Sequence, residues 1–356
     1  MRLVLQARSN PLAWWWGLLA LVSSVNIAFW FLLYREFCNS PAGSSASNSD
    51  IGLMLLLCAG YVFGCAFRSF LPRADVQRIC LFDTWLSSVV VGRSVATVAE
   101  LCFAAQWAII LRQLGEIAGA ETTLNAAWLV VPLILVAECF SWYAVLTTNY
   151  LGNAIENSIW AVAFLIVGVA LCRLLPEFNG AVRWALVIAI SGIAFYLAFL
   201  MTIDVPMYLG RWRADLADGS RLLGIFEGLR DISTRWIVTH DFAHWKDEIA
   251  WMSLYFSAAV WASLALCACY SLEDYLPHYR TEPTALTARD MFGQRVAAQE
   301  AVASVEDRRG VDTAFGAVHA AAVIFTSIKA ASSSSTGSRS PVTAQATILL
   351  ASTARL

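Results

Sequence analysis

The stretch LAWWWGLLALVSSVNIAFWFLLY, residues 12–34, is long and apolar enough to cross a lipid bilayer as one helix. A helix needs roughly 20 mostly apolar residues to span the hydrocarbon core. The stretch begins with Trp14, Trp15 and Trp16, and indole rings favour the headgroup level of a membrane. Two arginines precede it, as in a signal peptide, but the apolar run is too long for the hydrophobic region of one. We therefore predict a first membrane-spanning helix that the protein retains.

Six further stretches of similar character follow this one along the chain. The seven predicted spans cover residues 12–34, 51–71, 94–111, 125–148, 155–175, 184–203 and 249–271. Lipid offers no partner to a free backbone N–H or C=O group, so spans of this kind must be helical. The sequence predicts an all-α fold, a polytopic transmembrane helix bundle of about seven spans within residues 1–272.

The composition of the whole chain agrees with a membrane protein. Hydrophobic residues make up 59% of the sequence and charged residues 14%, against roughly 25% charged in soluble domains. The net charge is −2 and the chain has no dense basic run, which argues against nucleic acid as a partner. The partner that composition does predict is the lipid bilayer, with a small molecule or a lipid as a further candidate ligand. The oligomeric state is left open.

The distribution of arginine and lysine predicts the orientation, because basic residues favour the cytoplasmic side. With the N-terminus inside, the inner segments hold most of the basic residues near the spans, whereas the outer loops hold few. We expect a cytoplasmic N-terminus, a cytoplasmic loop over residues 204–248 and a bacterial-type inner (plasma) membrane as the location. Helix-like apolar spacing at Leu222, Ile225, Phe226, Leu229 and Ile232 lies within that loop.

Two segments outside the spans have a distinct character. Residues 75–92 are partly amphipathic and predict an interfacial helix on the inner side, with one long tilted helix as the alternative. Residues 273–356 form a low-complexity tail that contains SSSSTGSRSP, residues 332–341. Such polar tracts bury too little surface to fold, so we predict a disordered tail.

The first candidate site is the stretch HDFAHWKDE, residues 240–248, before the last span. If it is helical, His240, His244 and Glu248 are spaced at i, i+4 and i+8 and share one face. Two imidazoles and a carboxylate suit a divalent metal ion such as zinc, iron or manganese. The alternative is a polar turn that stays wet at the end of a helix.

The second candidate is the connection between the fourth and fifth spans, NYLGNAIEN, residues 149–157. A continuous helix would place its amides and its carboxylate in one polar stripe. The alternative is a tight turn at Gly152, with asparagine as a turn or cap residue. The stripe would consist of Asn149, Asn153, Glu156 and Asn157.

The third candidate is the set of acids within or beside the spans. Glu138 lies near the middle of the fourth span and Glu100 about a third of the way into the third. A charged side chain at mid-bilayer costs roughly 2.5–3.5 kcal/mol on insertion scales, so such acids are functional candidates, with helix packing as the alternative. Asp204 ends the sixth span, where Pro206 predicts a helix stop. In the predicted topology, Asp204 and the first two candidates meet on the cytoplasmic side.

Two classes of protein are excluded because their defining sequence features are absent. A seven-helix retinal protein needs a lysine within its last span, and Lys246 lies only at the border of that span. No GxxxxGK[ST] motif for binding nucleotide phosphates is present.

The sequence therefore leaves three hypotheses for function. The first is a non-enzymatic membrane protein that binds or transports a small or lipidic solute through a cytoplasm-facing polar cluster. That cluster would contain Glu138, Glu156, Asp204 and either His240 or His244, with the acids as ion or proton partners. The second is a membrane metalloenzyme that holds a divalent metal ion at His240, His244 and Glu248, with Glu156 or Asp204 as the general base or an additional ligand. The third is a structural or assembly subunit of a membrane complex, in which the polar groups only set how the helices pack.

Overall fold

The computed structural model describes residues 10–39, 45–270 and Arg280, and these residues form a helical bundle. Within them, seven helical segments are long and apolar enough to cross a membrane, which confirms the predicted all-α transmembrane fold. The first five are continuous helices: α1 (Pro11–Asn39), α2 (Ser45–Phe70), α3 (Val89–Ala118), α4 (Glu121–Thr147) and α5 (Tyr150–Leu174). The predicted tail, residues 273–356, lies outside the described residues apart from Arg280.

The sixth and seventh segments each contain a π-helical turn. In the sixth, α6 (Gly180–Phe199) and α7 (Val205–Ala217) flank the turn Leu200–Asp204. In the seventh, α9 (Phe242–Leu254) and α10 (Val260–Tyr270) flank the turn Tyr255–Ala259. Between these segments lies α8 (Ile225–Thr234), a short amphipathic helix. Turns of this kind are rare and often occur at functional sites.

The outer surface of the bundle is apolar, as a lipid-facing surface must be. Trp128, Trp184 and Leu56 are 75%, 69% and 68% exposed, respectively. Soluble proteins rarely expose large apolar side chains so extensively. Buried charged side chains such as Arg93 and Glu138, by contrast, lie between the helices.

The predicted interfacial helix over residues 75–92 is wrong. This segment begins beside the antiparallel strands β1 (Arg73–Ala74) and β2 (Ile79–Cys80), and continues through a short 3-10 turn into α3. A third strand, β3 (Ile237–Val238), pairs with β2 in parallel. Arg78, in the turn between β1 and β2, has a φ of 60°, which a helix cannot contain. The amphipathic helix of the structure is α8 instead.

The predicted helix stop at Pro206 is also wrong, because the sixth segment continues to Ala217. In the π turn, the N–H of Val205 donates to the carbonyl oxygen of Leu200. Pro206 then lies in the first turn of α7, where its missing N–H costs little. The predicted loop over residues 204–248 is therefore helical over much of its length.

One end of the bundle, here called the Asp75 end, contains three segments that connect helices. It contains residues 71–88, the link between α4 and α5, and residues 218–241. The indole N–H of Trp16 in α1 donates to the carbonyl oxygen of Phe70, and the N–H of Leu223 donates to that of Thr147. Asp204 contacts α5 through Asn157, and Glu248 contacts α7 through Arg211, so the segments that hold these acids lie next to their partners in the bundle.

Candidate functional site

Four charged side chains from three helices meet inside the bundle, and we call them the Arg93 cluster: Arg93, Glu100, Glu138 and Glu156. They are between 2% and 7% exposed. Arg93 and Glu100 come from α3, Glu138 from α4 and Glu156 from α5. The sequence predicts Glu138 and Glu156 in one polar cluster, and the structure adds Glu100 and Arg93 to them.

The guanidinium group of Arg93 lies at the centre of this cluster. Its Nη2 atom donates to both carboxylate oxygens of Glu138, at 2.9 and 2.7 Å, and to Oε2 of Glu100 at 3.1 Å. Its Nη1 atom lies 3.8 Å from Oε1 of Glu156, an ion pair without a direct hydrogen bond. One cation therefore serves three carboxyl groups.

Helical spacing places the groups of α3 on one face, since Arg93, Thr97 and Glu100 are at i, i+4 and i+7. The Thr97 hydroxyl donates to Oε2 of Glu138 at 2.5 Å and accepts from the indole N–H of Trp142 at 3.0 Å. This spacing was visible in the sequence, but Arg93 was not among the predicted site residues. The pairing of Arg93 with Glu138 links different helices, and spacing within one helix does not predict it.

The start of α5 resolves the two interpretations of residues 149–157. Asn149 caps the helix, and its side-chain oxygen accepts from the N–H of Leu151 at 3.0 Å. Asn153 and Glu156 point into the bundle, where the Asn153 amide donates to Glu156 at 3.1 Å. Gly152 does not break the helix. It allows α5 to pack on α4, because a Cβ atom there would lie 2.8 Å from the Phe140 carbonyl oxygen.

Two buried polar atoms at the cluster have no hydrogen-bond partner among the described residues. They are Nε of Arg93 and Oδ1 of Asn153. A buried polar atom without a partner costs about 1–3 kcal/mol, so these atoms favour a site that water, a proton or a small ligand completes.

Asp204 lies apart from the cluster, at the end of the first π turn. It is buried, and its Oδ2 atom accepts from the side-chain amide of Asn157 at 2.7 Å. Among the residues that the structure describes, no arginine, lysine or histidine forms an ion pair with it within 4.0 Å. Asp204 is thus a buried acid whose hydrogen-bond partner is a neutral amide. It lies in the sixth helical segment, next to the α5 helix that carries Glu156.

The structure does not bring His240, His244 and Glu248 together on one helical face. Because α9 begins only at Phe242, with Asp241 as its cap, His240 lies outside the helix. Its Nε2–H donates to the carbonyl oxygen of Leu81 at 2.9 Å, whereas His244 is exposed, with its Nδ1 atom 3.4 Å from Asp241. The helical face on which the predicted metal site depends is therefore not formed.

Glu248 instead accepts hydrogen bonds that connect three parts of the bundle. Its carboxylate accepts from Arg211 at 2.9 Å, from Gln77 at 2.8 Å and from the Trp251 indole at 2.6 Å. These donors join α7, the β1–β2 connection and α9 at the Asp75 end. With three donors, Glu248 has little capacity left for a metal ion.

A second set of ion pairs lies at the Asp75 end, where arginines are more plentiful. Asp75 pairs with Arg73 at 2.6 Å and with Arg68 at 3.5 Å, and Arg78 pairs with Asp231 at 2.7 Å. Burial alone would raise the pKa of Asp75, but the guanidinium groups of Arg68 and Arg73 outweigh it and hold the pKa at about 2. We call these residues, with Arg211 and Glu248, the end network.

A divalent metal ion could in principle contact the Arg93 cluster as well. Carboxylate oxygens of Glu100, Glu138 and Glu156 lie within 4.8 Å of one another, a grouping found in a search of the described residues. The Nη2 atom of Arg93 already contacts two of these acids, so a cation occupies part of that space.

Comparisons with protein-family models, curated proteins and solved structures find no match for this chain.

Proposed function

We propose that this integral membrane protein binds and moves a small solute, and that the Arg93 cluster binds and releases a proton during that cycle. The observation that carries the proposal is the ratio of charges, since three buried carboxyl groups contact one guanidinium group. If all were ionised, the contacts would carry a net charge of −2 inside the bundle. Burial of uncompensated charge is costly, so the cluster favours the uptake of a proton or another cation.

A proton fits this site better than a metal ion does. The guanidinium group of Arg93 lies between Glu100 and Glu138, where a metal ion would have to displace it. A proton needs only a carboxylate oxygen and can be shared between two carboxyl groups. Glu156 is the acid in loosest contact with Arg93, at 3.8 Å, which makes it the best candidate for the carboxyl group that changes its protonation state.

Asp204 gives the proposal a buried acid outside the Arg93 cluster. Its partner Asn157 follows Glu156 directly in α5, so the two acids lie on adjoining parts of one helix pair. A buried carboxyl group with only an amide partner is also a group that a proton or a cationic solute would stabilise. We expect Asp204 to hold a proton or contact the solute when Glu156 does not.

Infrared spectroscopy tests proton binding without knowledge of the solute. We expect difference spectra between acidic and alkaline buffers, recorded in nanodiscs, to show the C=O stretch of a buried protonated carboxyl group. Glu156→Gln should remove or shift this band. Glu116→Gln, which alters an exposed acid of the same α3 helix that carries Glu100, is the matched control and should leave the band unchanged. A wild-type spectrum without the band would refute proton binding at the cluster.

Flux measurements then test movement of protons. In proteoliposomes with an entrapped pH-sensitive dye, a potassium diffusion potential that is negative inside drives protons inward. We expect the lumen of vesicles with wild type to acidify faster than that of empty vesicles. Glu138→Gln and Glu156→Gln should slow this process, and Glu116→Gln should not. If both cluster variants retain the wild-type rate, the transport proposal fails.

Elemental analysis of the purified protein separates the proton proposal from the metalloenzyme alternative, which the carboxylate spacing keeps open. Three carboxylate ligands suit a hard divalent ion such as manganese or magnesium. About one metal ion per chain, lost in Glu138→Gln, would favour an enzyme whose site is the Arg93 cluster. A protein that instead co-purifies with a stable partner, without metal or flux, would favour a structural subunit.

The proposed orientation places the N-terminus and the Asp75 end on the cytoplasmic side of a bacterial-type inner membrane. Cys38 lies near the end of α1 and is exposed, so it offers a test of sidedness. A membrane-impermeant maleimide should label Cys38 from outside in intact cells. Cys139 is exposed on the lipid-facing side of α4 and should not react, since a thiol in lipid does not ionise. Labelling of Cys38 only after lysis would reverse the orientation.

A further inference from the structure

The short helix α8 exposes an unusual amount of apolar side chain at the Asp75 end. Phe226 is 88% exposed, Ile225 55% and Leu229 49%. At about 100° per residue these three side chains share one stripe of the helix, whereas Glu227, Arg230 and Thr234 share another. The helix therefore has an apolar stripe that the protein itself does not cover within its described residues.

Contacts with the bundle fix the rotation of α8, so the apolar stripe cannot turn inward. Gly228 lies against the last turn of α4, where an added Cβ atom would collide with the carbonyl oxygen of Leu146. Ile232 packs with Val89 and Val145 in a small cluster of its own. The next side chain, Asp231, is held by Arg78 at 2.7 Å. Gly228 and Ile232 thus form the docking face, and the stripe of Phe226 lies beside it.

The depth of α8 follows from the helix on which it packs. α4 has 27 residues, which at 1.5 Å per residue gives a length of about 40 Å. The hydrocarbon core of a bilayer is only about 30 Å thick, so the ends of α4 reach the headgroup region. Because α8 contacts the last turn of α4, it lies at headgroup level, with one side toward the bundle and another toward lipid.

We propose that α8 is an interfacial helix whose Ile225, Phe226 and Leu229 stripe inserts among the acyl chains of the leaflet at the Asp75 end. The opposite stripe, with Glu227 and Thr234, faces water. Arg230 lies at the border between the two stripes, where its long side chain can reach lipid phosphates. The occupant of the apolar stripe is the lipid leaflet, because the helix is attached to a spanning helix at the depth of that leaflet.

Site-specific photo-crosslinking tests this placement. The crosslinker p-benzoylphenylalanine replaces Phe226 in one protein and Glu227 in another, and both are reconstituted in vesicles of phosphatidylethanolamine and phosphatidylglycerol. The two positions are neighbours on one helix but point about 100° apart. After illumination, mass spectrometry of the intact protein should show the addition of one phospholipid at position 226, at least fivefold more than at position 227.

Other outcomes would overturn the proposal. A covalent dimer from position 226 would assign the stripe to a second copy of the chain, and equal lipid addition at both positions would remove the orientation that we infer. The same crosslinker at Leu229 is a second variant on the stripe and should repeat the result for Phe226. Phe226 is so exposed that its replacement does not disturb packing. This test is independent of proton binding at the Arg93 cluster.

Discussion

The Arg93 cluster and the end network are both built from buried arginines and acids, but their charge balance differs. In the end network each acid contacts at least one guanidinium group, and Asp75 contacts two. In the Arg93 cluster three acids share one guanidinium group. Balanced pairs hold connections together, whereas an excess of buried acid creates a group that must gain or exchange a cation to remain buried.

The largest effect should follow removal of the central cation. We expect Arg93→Met to lower the free energy of unfolding by about 3–5 kcal/mol, because three carboxyl groups lose their charged partner. Arg211→Met should cost less, since Glu248 keeps donors from Gln77 and Trp251. Unfolding by SDS in mixed micelles measures both. Recovery of stability when Glu138→Gln is added to Arg93→Met would support the charge argument, and equal losses in Arg93→Met and Arg211→Met would contradict it.

Neutralising one acid in each region should then destabilise the end network more than the Arg93 cluster. Glu248→Gln replaces a carboxylate that accepts three hydrogen bonds, and we expect a loss of about 2–3 kcal/mol. Glu156→Gln removes one negative charge from the region with excess acid, so stability should change by less than about 1 kcal/mol. The same SDS titration compares the two variants. A larger loss in Glu156→Gln would mean that the cluster is balanced after all.

Acid should weaken the end network through Asp75. Its pKa of about 2 in the folded protein lies below the ordinary value of 3.8, so the ionised carboxylate stabilises the folded state. That contribution, about 2 kcal/mol, is present above pH ~4 and is lost as the pH falls through ~2. We expect Asp75→Asn to remove this part of the acid sensitivity, as measured by thermal unfolding across that range. Identical acid profiles for the variant and wild type would contradict the assignment.

A smaller effect should come from the hydroxyl group that supports Glu138. Thr97→Val removes the donor to Glu138 and leaves the Trp142 indole N–H without its acceptor. We expect a loss of about 1 kcal/mol in the free energy of unfolding. Thr97→Ser keeps the hydroxyl group and is the matched control. If Thr97→Val keeps the stability of wild type, the two hydrogen bonds of this hydroxyl group do not support the fold.

Sequence reasoning found the acids of the cluster but not their partner. Glu138, Glu100 and Glu156 were visible because a carboxyl group within an apolar helix is rare. Arg93 was visible on the same helical face as Glu100, yet its strongest contact is with Glu138 on α4. For the histidines, the signal was the cap at Asp241, which starts α9 too late to include His240. An Asp residue before an apolar helix is a recognisable start signal.

Hydropathy by itself determined that the described part of the chain has seven helices long and apolar enough to cross a membrane, because lipid leaves an isolated backbone group no other partner. That constraint acts on each segment separately and can be seen in the composition of about 20 residues. Only the tertiary structure decided that Arg93 meets three acids, that Glu248 pairs with Arg211 and that Phe226 points away from the bundle. These facts depend on how each helix is rotated against its neighbours, and contacts such as Gly152 on Phe140 and Gly228 on Leu146 set that rotation.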